Sequence, residues 1–138
     1  MSRLQALGIE NAGFHTIGLN EYDADCCATL RRNRLYWNVI EGDVARISKL
    51  DLESFFEIEK GKLDLLSGGA PCQAFSYAGK KLGLEDARGT LFYHYATFLD
   101  KLQPRMFLLE NVRGLLTHDH GKTYWVMLEI FEQAGYGI

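Results

Sequence analysis

The sequence predicts an α/β fold, a parallel sheet with helices on its faces. Three observations predict it. Apolar segments alternate with turn segments in a βαβ rhythm along the whole chain. The run Leu63-Asp64-Leu65-Leu66-Ser67 breaks into Gly68-Gly69, the pattern of a buried strand entering a loop. Several predicted strands close on a polar or reactive residue: Glu21, Asp43, Cys72 and Glu110. In open α/β sheets ligands bind at that end, so these four side chains are expected to gather along one sheet edge.

The elements follow in order. Residues Ser2 to Ala12 read as a helix, with Leu4, Leu7 and Ile9 on one face and Gly13 as its stop. Phe14 to Asn20 reads as a strand. Asp23 caps a second helix through about Arg32, packed by Ala24, Cys27, Ala28 and Leu30. Trp37 to Glu41 is a short strand ending at Gly42-Asp43. Helical turns are expected near Lys49 to Glu59, then the strand Leu63 to Ser67. Ala74 to Asp86 is irregular and reads as a functional or mobile loop. Arg88 to Leu102 is a helix with Leu91, Phe92, Tyr95, Leu99 and Leu102 on its inner face, and Pro104 ends it. Arg105 to Leu109 is a further strand. Lys122 to Ala134 is the last helix, with Tyr124, Met127, Leu128 and Phe131 inward and Gly135 as its C-cap.

The 138 residues suffice for one domain with one core. Hydrophobic residues make up 47% and charged residues 24%, an ordinary soluble composition. No apolar run approaches a membrane span and the N-terminus lacks a signal-peptide pattern, so a cytoplasmic setting is the default expectation. Three cysteines, two of them adjacent, do not suggest a disulfide framework. A net charge of −3 does not advertise nucleic-acid binding, although Arg31-Arg32-Asn33-Arg34 and Lys80-Lys81 are local basic spots.

Cys72 follows Gly68-Gly69-Ala70-Pro71 on a loop that Pro71 stiffens. A thiol there, exposed in a favourable field, can be a nucleophile; the alternative is a small buried hydrophobe. Glu110 is either an acid at the same edge or a strand-end carboxylate bound to nearby backbone or arginine. Thr117-His118-Asp119-His120-Gly121 lacks a convincing metal-ligand set and reads as a solvated loop; no metal is expected.

These residues resemble the DNA cytosine-5 methyltransferase family. Its nucleophile block appears as Gly69-Ala70-Pro71-Cys72-Gln73-Ala74-Phe75-Ser76 and its glutamate block as Glu110-Asn111-Val112-Arg113-Gly114-Leu115-Leu116. Between them lie Ala78-Gly79-Lys80-Lys81-Leu82-Gly83 and Asp86-Ala87-Arg88-Gly89-Thr90-Leu91-Phe92, similar to its intervening loop and helix start. Upstream, Asn20-Glu21-Tyr22-Asp23 and Gly42-Asp43-Val44 are similar to its two cofactor blocks.

The resemblance implies a Rossmann-like methyltransferase sheet with helices on both faces, S-adenosylmethionine as cofactor and DNA as partner. Cys72 would add to C6 of cytosine, making C5 nucleophilic, while Glu110 meets N3. Glu21 would hold the ribose hydroxyls. Asp43 would accept from the adenine amino group, and Val44, Pro71 and Leu91 would line the cofactor pocket. Tyr22 would lie against adenine, or is simply a packed aromatic. The target cytosine must swing out of the duplex, and Gln73, Ser76, Lys80, Lys81 and Asn111 are candidates for contacting the DNA.

The resemblance begins just after the family's opening strand and glycine-rich turn. It ends before its arginine block, target-recognition region and closing helix. Residues 1–138 are therefore expected to be a partial catalytic domain with an incomplete sheet, a fragment or one part of a split enzyme completed by another chain. A catalytically inactive partner- or cofactor-binding module is the alternative. A nicotinamide-dependent oxidoreductase is set aside, because no glycine fingerprint follows a first strand.

Overall fold

The computed structural model describes residues 3–69 and 90–138. They fall into two compact units, Met1–Glu57 and Ile58–Ile138.

The first unit runs α1 (Arg3–Asn11), β1 (Leu19–Glu21), α2 (Ala24–Asn33), β2 (Val39–Glu41), α3 (Val44–Ile47) and α4 (Leu52–Phe56). Strands β1 and β2 are parallel, with Leu19, Asn20 and Glu21 opposite Val39, Ile40 and Glu41. Helix α2 begins where the sequence places it. The Asp23 carboxylate accepts from Cys26 N at 2.7 Å, a side-chain N-cap. Asp25 in its first turn and Arg31 and Arg32 in its last complement the helix dipole. Its packing face is narrower than expected: Cys27 and Leu30 are buried, whereas Ala24 and Ala28 are exposed. Ala6, Leu19, Leu30 and Trp37 form the buried core of this unit.

One expectation here needs correction and another is narrowed. Phe14–Gly18 is not strand; the ladder begins at Leu19 because its partner β2 supplies only three residues. The helix or helical turns expected near Lys49 to Glu59 are the short α4, Leu52–Phe56, and a further short helix, α3, precedes that range at Val44–Ile47. Asp43 caps α3 through Ala45 N and Asp51 caps α4 through Ser54 N, and each cap starts a new helix.

The second unit runs β3 (Leu65–Gly69), α5 (Leu91–Leu102), β4 (Met106–Glu110), two 3₁₀ turns at Arg113–Leu116 and His118–Gly121, and α6 (Lys122–Gln133). Strands β3 and β4 are parallel, from Leu65 opposite Met106 to Gly69 opposite Glu110. Phe92, Leu99, Met127, Ile130 and Phe131 from the two helices make the core, with Leu66, Phe107 and Leu109 of the strands packed against it. Fully burying each such side chain contributes roughly 1.5–3 kcal/mol. Gly68 is required here, since a Cβ on it would lie 2.9 Å from the Tyr95 ring.

Helix α5 starts three residues later than expected. Thr90 is its N-cap, accepting from Tyr93 N at 3.1 Å. Leu91 is then the first helical residue and is 46% exposed, so it does not join the inner face. On α6, Met127 and Phe131 are buried as expected, Tyr124 and Leu128 are half-buried, and Val126 and Ile130 complete the face. Gly135 sits just past the helix with φ +92°, a left-handed position that favours glycine.

Among the described residues the strands pair two by two, in two separate two-stranded sheets. Each strand therefore has one hydrogen-bonded neighbour, and each presents one edge without a strand partner.

Candidate functional site

In the first unit two carboxylates stand at the carboxyl ends of neighbouring parallel strands. Glu21 is the last residue of β1, and Asp43 lies two residues beyond Glu41, its register partner. Each is anchored to the chain by one oxygen. Glu21 Oε1 accepts from the amides of Tyr22 at 2.8 Å and Asp23 at 3.1 Å. Asp43 Oδ1 accepts from Ala45 N at 2.8 Å. The second oxygen of each makes no hydrogen bond among the described residues. Tyr22 is 78% exposed, so it is not a packed aromatic. Val44 is half-buried at the start of α3.

Two carboxylates, each with a spare acceptor oxygen, and an exposed aromatic fit a nucleoside. Paired ribose hydroxyls and an exocyclic amino group are donors; an aromatic face suits a purine.

The turn between β2 and Asp43 is held from β1. Gly42 N donates to Glu21 O at 2.9 Å. Asn20 Nδ2 donates to Ile40 O at 3.0 Å and to Gly42 O at 2.9 Å. Gly42 has φ +134°, which favours glycine. Cys27 Sγ approaches Glu21 O at 3.5 Å, and burial pushes this thiol's pKa up. Sequence reasoning gave Asn20 no role. The available signal was its type: asparagine is depleted in strands, and here it sits inside one.

In the second unit Glu110 ends β4 and is exposed. Its register partner is Gly69, and a Cβ on Gly69 would lie 3.3 Å from the Glu110 carbonyl and 4.0 Å from Oε2. Asn111 Oδ1 accepts from Val112 N at 2.8 Å, so its side chain shapes the turn after the strand. Leu91 opens α5 with its side chain partly in solvent. Pro71, Cys72, Gln73, Ser76, Lys80 and Lys81 lie outside the described residues.

In the 3₁₀ segment His118 Nδ1 is 2.7 Å from Thr123 Oγ1, and Asp119 and His120 have φ of 47° and 55°. Among the described residues no three His, Cys, Asp or Glu side chains gather as a metal site. No helix among them is long and apolar enough to cross a membrane.

Comparison with known proteins matches these features to one family. A profile of the C-5 cytosine-specific DNA methylases matches residues 4–138. The chain is 50% identical over 131 residues to the type II methyltransferase M.Eco47II of Escherichia coli, covering 95% of this chain and 30% of that protein. It is 52% identical over 133 residues to the type II methyltransferase M.Sau96I of Staphylococcus aureus, covering 96% and 30%. The orphan methyltransferase M.SPRI of Bacillus phage SPR is 50% identical over 97 residues, 70% of this chain and 20% of that protein. The chain thus spans about 30% of the length of the first two of these relatives. With a matching profile from residue 4 to its last residue, this chain belongs to the C-5 cytosine-specific DNA methylase family.

Proposed function

We propose that this chain forms the cofactor-binding and nucleophile-bearing part of a DNA (cytosine-5-)-methyltransferase of a restriction-modification system. The carrying observation is the pair of half-anchored carboxylates, Glu21 and Asp43, inside a chain whose whole length matches the family. Glu21 Oε2 is assigned to the ribose hydroxyls and Asp43 Oδ2 to the adenine amino group. Tyr22 lies against the base, and Val44, Pro71 and Leu91 add apolar contact. When bound, S-adenosylmethionine supplies an electrophilic methyl group.

The chain's own residues act on the pyrimidine. The Cys72 thiolate forms a bond to C6 of a flipped cytosine, and the displaced ring electrons move toward N3 and C5. Glu110 meets N3 and offsets the charge developing there. C5, now nucleophilic, takes the methyl group. Loss of the C5 proton to a base and departure of the Cys72 sulfur restore the ring's double bond. The register pairing of Gly69 with Glu110 supports this reading, because Cys72 follows Gly69 by three residues. Gln73, Ser76, Lys80, Lys81 and Asn111 are assigned to the DNA.

Among the described residues each strand has an open edge, which supports a further part of the reading: another segment or a complementary chain completes one Rossmann-like sheet and brings the target-recognition region. The test is transfer of labelled methyl from S-adenosylmethionine to DNA, by the full chain alone and with its neighbouring gene products. Transfer that Cys72→Ser abolishes, with trapping on DNA containing 5-fluorocytosine, is the expected result. Full transfer by Cys72→Ser overturns the nucleophile assignment. Cofactor binding with no transfer under any combination would favour a non-catalytic module.

A further inference from the structure

We propose that Asn20 is a positioning residue that sets base selectivity at the nucleoside site by holding the Gly42-Asp43 turn. The inference rests on the cofactor reading above and deepens it. Asn20 carries no group that reading uses. Its carboxamide instead spans from β1 to the end of β2, with Nδ2 donating to Ile40 O at 3.0 Å and Gly42 O at 2.9 Å. Two carbonyl acceptors use both hydrogens of that nitrogen, which fixes the amide's orientation.

The two acceptors flank Glu41, so the carboxamide braces β2 from its central residue, Ile40, to Gly42 in the turn just beyond it. Gly42 is then held at both polar groups from the same strand. Its N–H goes to Glu21 O at 2.9 Å and its C=O receives Asn20. The residue between these bonds has φ +134°. A peptide pinned on both sides in that conformation leaves Asp43 one direction of departure. Asp43 Oδ1 is in turn tied to Ala45 N at 2.8 Å, so the position of Oδ2 is inherited from Gly42. Glu21 precedes that turn in the chain, and its carboxylate is held by the amides of Tyr22 and Asp23, whereas Asp43 directly follows the braced Gly42. Asn20 should therefore govern what Asp43 reads and leave alone what Glu21 reads.

The experiment measures binding of three compounds to the full chain by calorimetry. They are S-adenosylhomocysteine, S-inosylhomocysteine, which lacks the exocyclic amino group, and the 2′-deoxy form of the first. The parent chain is expected to prefer S-adenosylhomocysteine over each analogue by roughly tenfold or more, as befits a hydrogen bond to a charged group. Asn20→Ala should bring the adenine-over-hypoxanthine preference to within about twofold. It should keep the preference for the 2′-hydroxyl. A merely structural role would weaken all three ligands together. Gly42→Ala reaches the same turn by another route, since its Cβ meets nothing within 4 Å and only the backbone conformation is strained. It should show the same selective loss, and it stands in if Asn20→Ala does not fold. Retention of the base preference in a folded variant of either kind overturns the proposal. A parent chain that does not bind S-adenosylhomocysteine overturns the cofactor reading itself, and this proposal with it.

Discussion

Gly69 and Glu110 are register partners across the parallel pair β3–β4, and a Cβ on Gly69 would lie 3.3 Å from the Glu110 carbonyl oxygen. The neighbour is backbone, so it yields only by moving the end of β4. Gly69→Val is therefore expected to displace Glu110 by a few tenths of an ångström or more. Small misplacements of a catalytic group cost about tenfold to a hundredfold in rate. The check is the rate of methyl transfer to DNA alongside S-adenosylhomocysteine affinity. If the proposed transfer role of Glu110 holds, the rate should fall by a larger factor than the affinity, because the polar nucleoside contacts proposed for Glu21 and Asp43 lie in the first unit.

Glu10 predicts a pH profile. Its carboxylate accepts from the Tyr36 hydroxyl, from Trp37 Nε1 at 3.0 Å and from Arg34 Nε at 3.0 Å. The Tyr36 hydrogen bond foremost holds its pKa below the ordinary 4.5. Its stabilising effect is thus present above pH 4.5 and disappears as the pH falls through the lower folded-state value. Tyr36 is shifted the other way: Glu10 raises its pKa above 10.0, so its effect is present below pH 10 and lost as the pH rises through the folded value. The urea midpoint measured against pH should show both shoulders, and Glu10→Gln should flatten both. Shoulders that persist in that variant would show that other groups produce them.

Cys27 is fully buried, and burial raises its thiol pKa. Thiolate is the reactive form, so Cys27 should resist alkylation in the native chain at neutral pH and react once the chain is denatured. Mass spectrometry of peptides after a timed iodoacetamide pulse reads this directly. Rapid native labelling at Cys27 would mean that the end of β1 opens readily.

Leu99 has no exposed surface and lies in the core where α5 meets α6. Leu99→Ala should destabilise the chain by about 2–5 kcal/mol, through lost transfer energy and the cavity left behind. Chemical denaturation measures it. A loss well under 1 kcal/mol would mean that neighbouring core side chains collapse into the space.

Local chemistry was legible in the sequence wherever a side chain acts on its own neighbourhood. Asp23 as a cap, Gly135 as a stop and the inward spacing of Phe92, Tyr95, Leu99 and Leu102 all depend on residues within a turn or two. The ends of β1 and β4 at Glu21 and Glu110 came close to expectation for the same reason. What failed depends on distant partners or, at Leu91, on which of several neighbouring residues caps the helix. Phe14–Gly18 has strand-like residues, yet the ladder extends only as far as β2 does. Leu91 fits the helical period, yet Thr90 caps the helix and leaves it at the exposed first position. Asn20 carried a signal in its residue type, but its two acceptors lie 20 and 22 residues away, beyond any local pattern.

The single-oxygen anchoring of Glu21 and Asp43 has a kinetic and entropic consequence. A free surface carboxylate samples several rotamers, and a ligand that immobilises such a side chain gives up about 0.5–1.5 kcal/mol. These two have already surrendered that freedom during folding. At the proposed cofactor site a nucleoside would meet acceptors already aimed, so its association should proceed without a slow rearrangement step and at a rate limited by encounter.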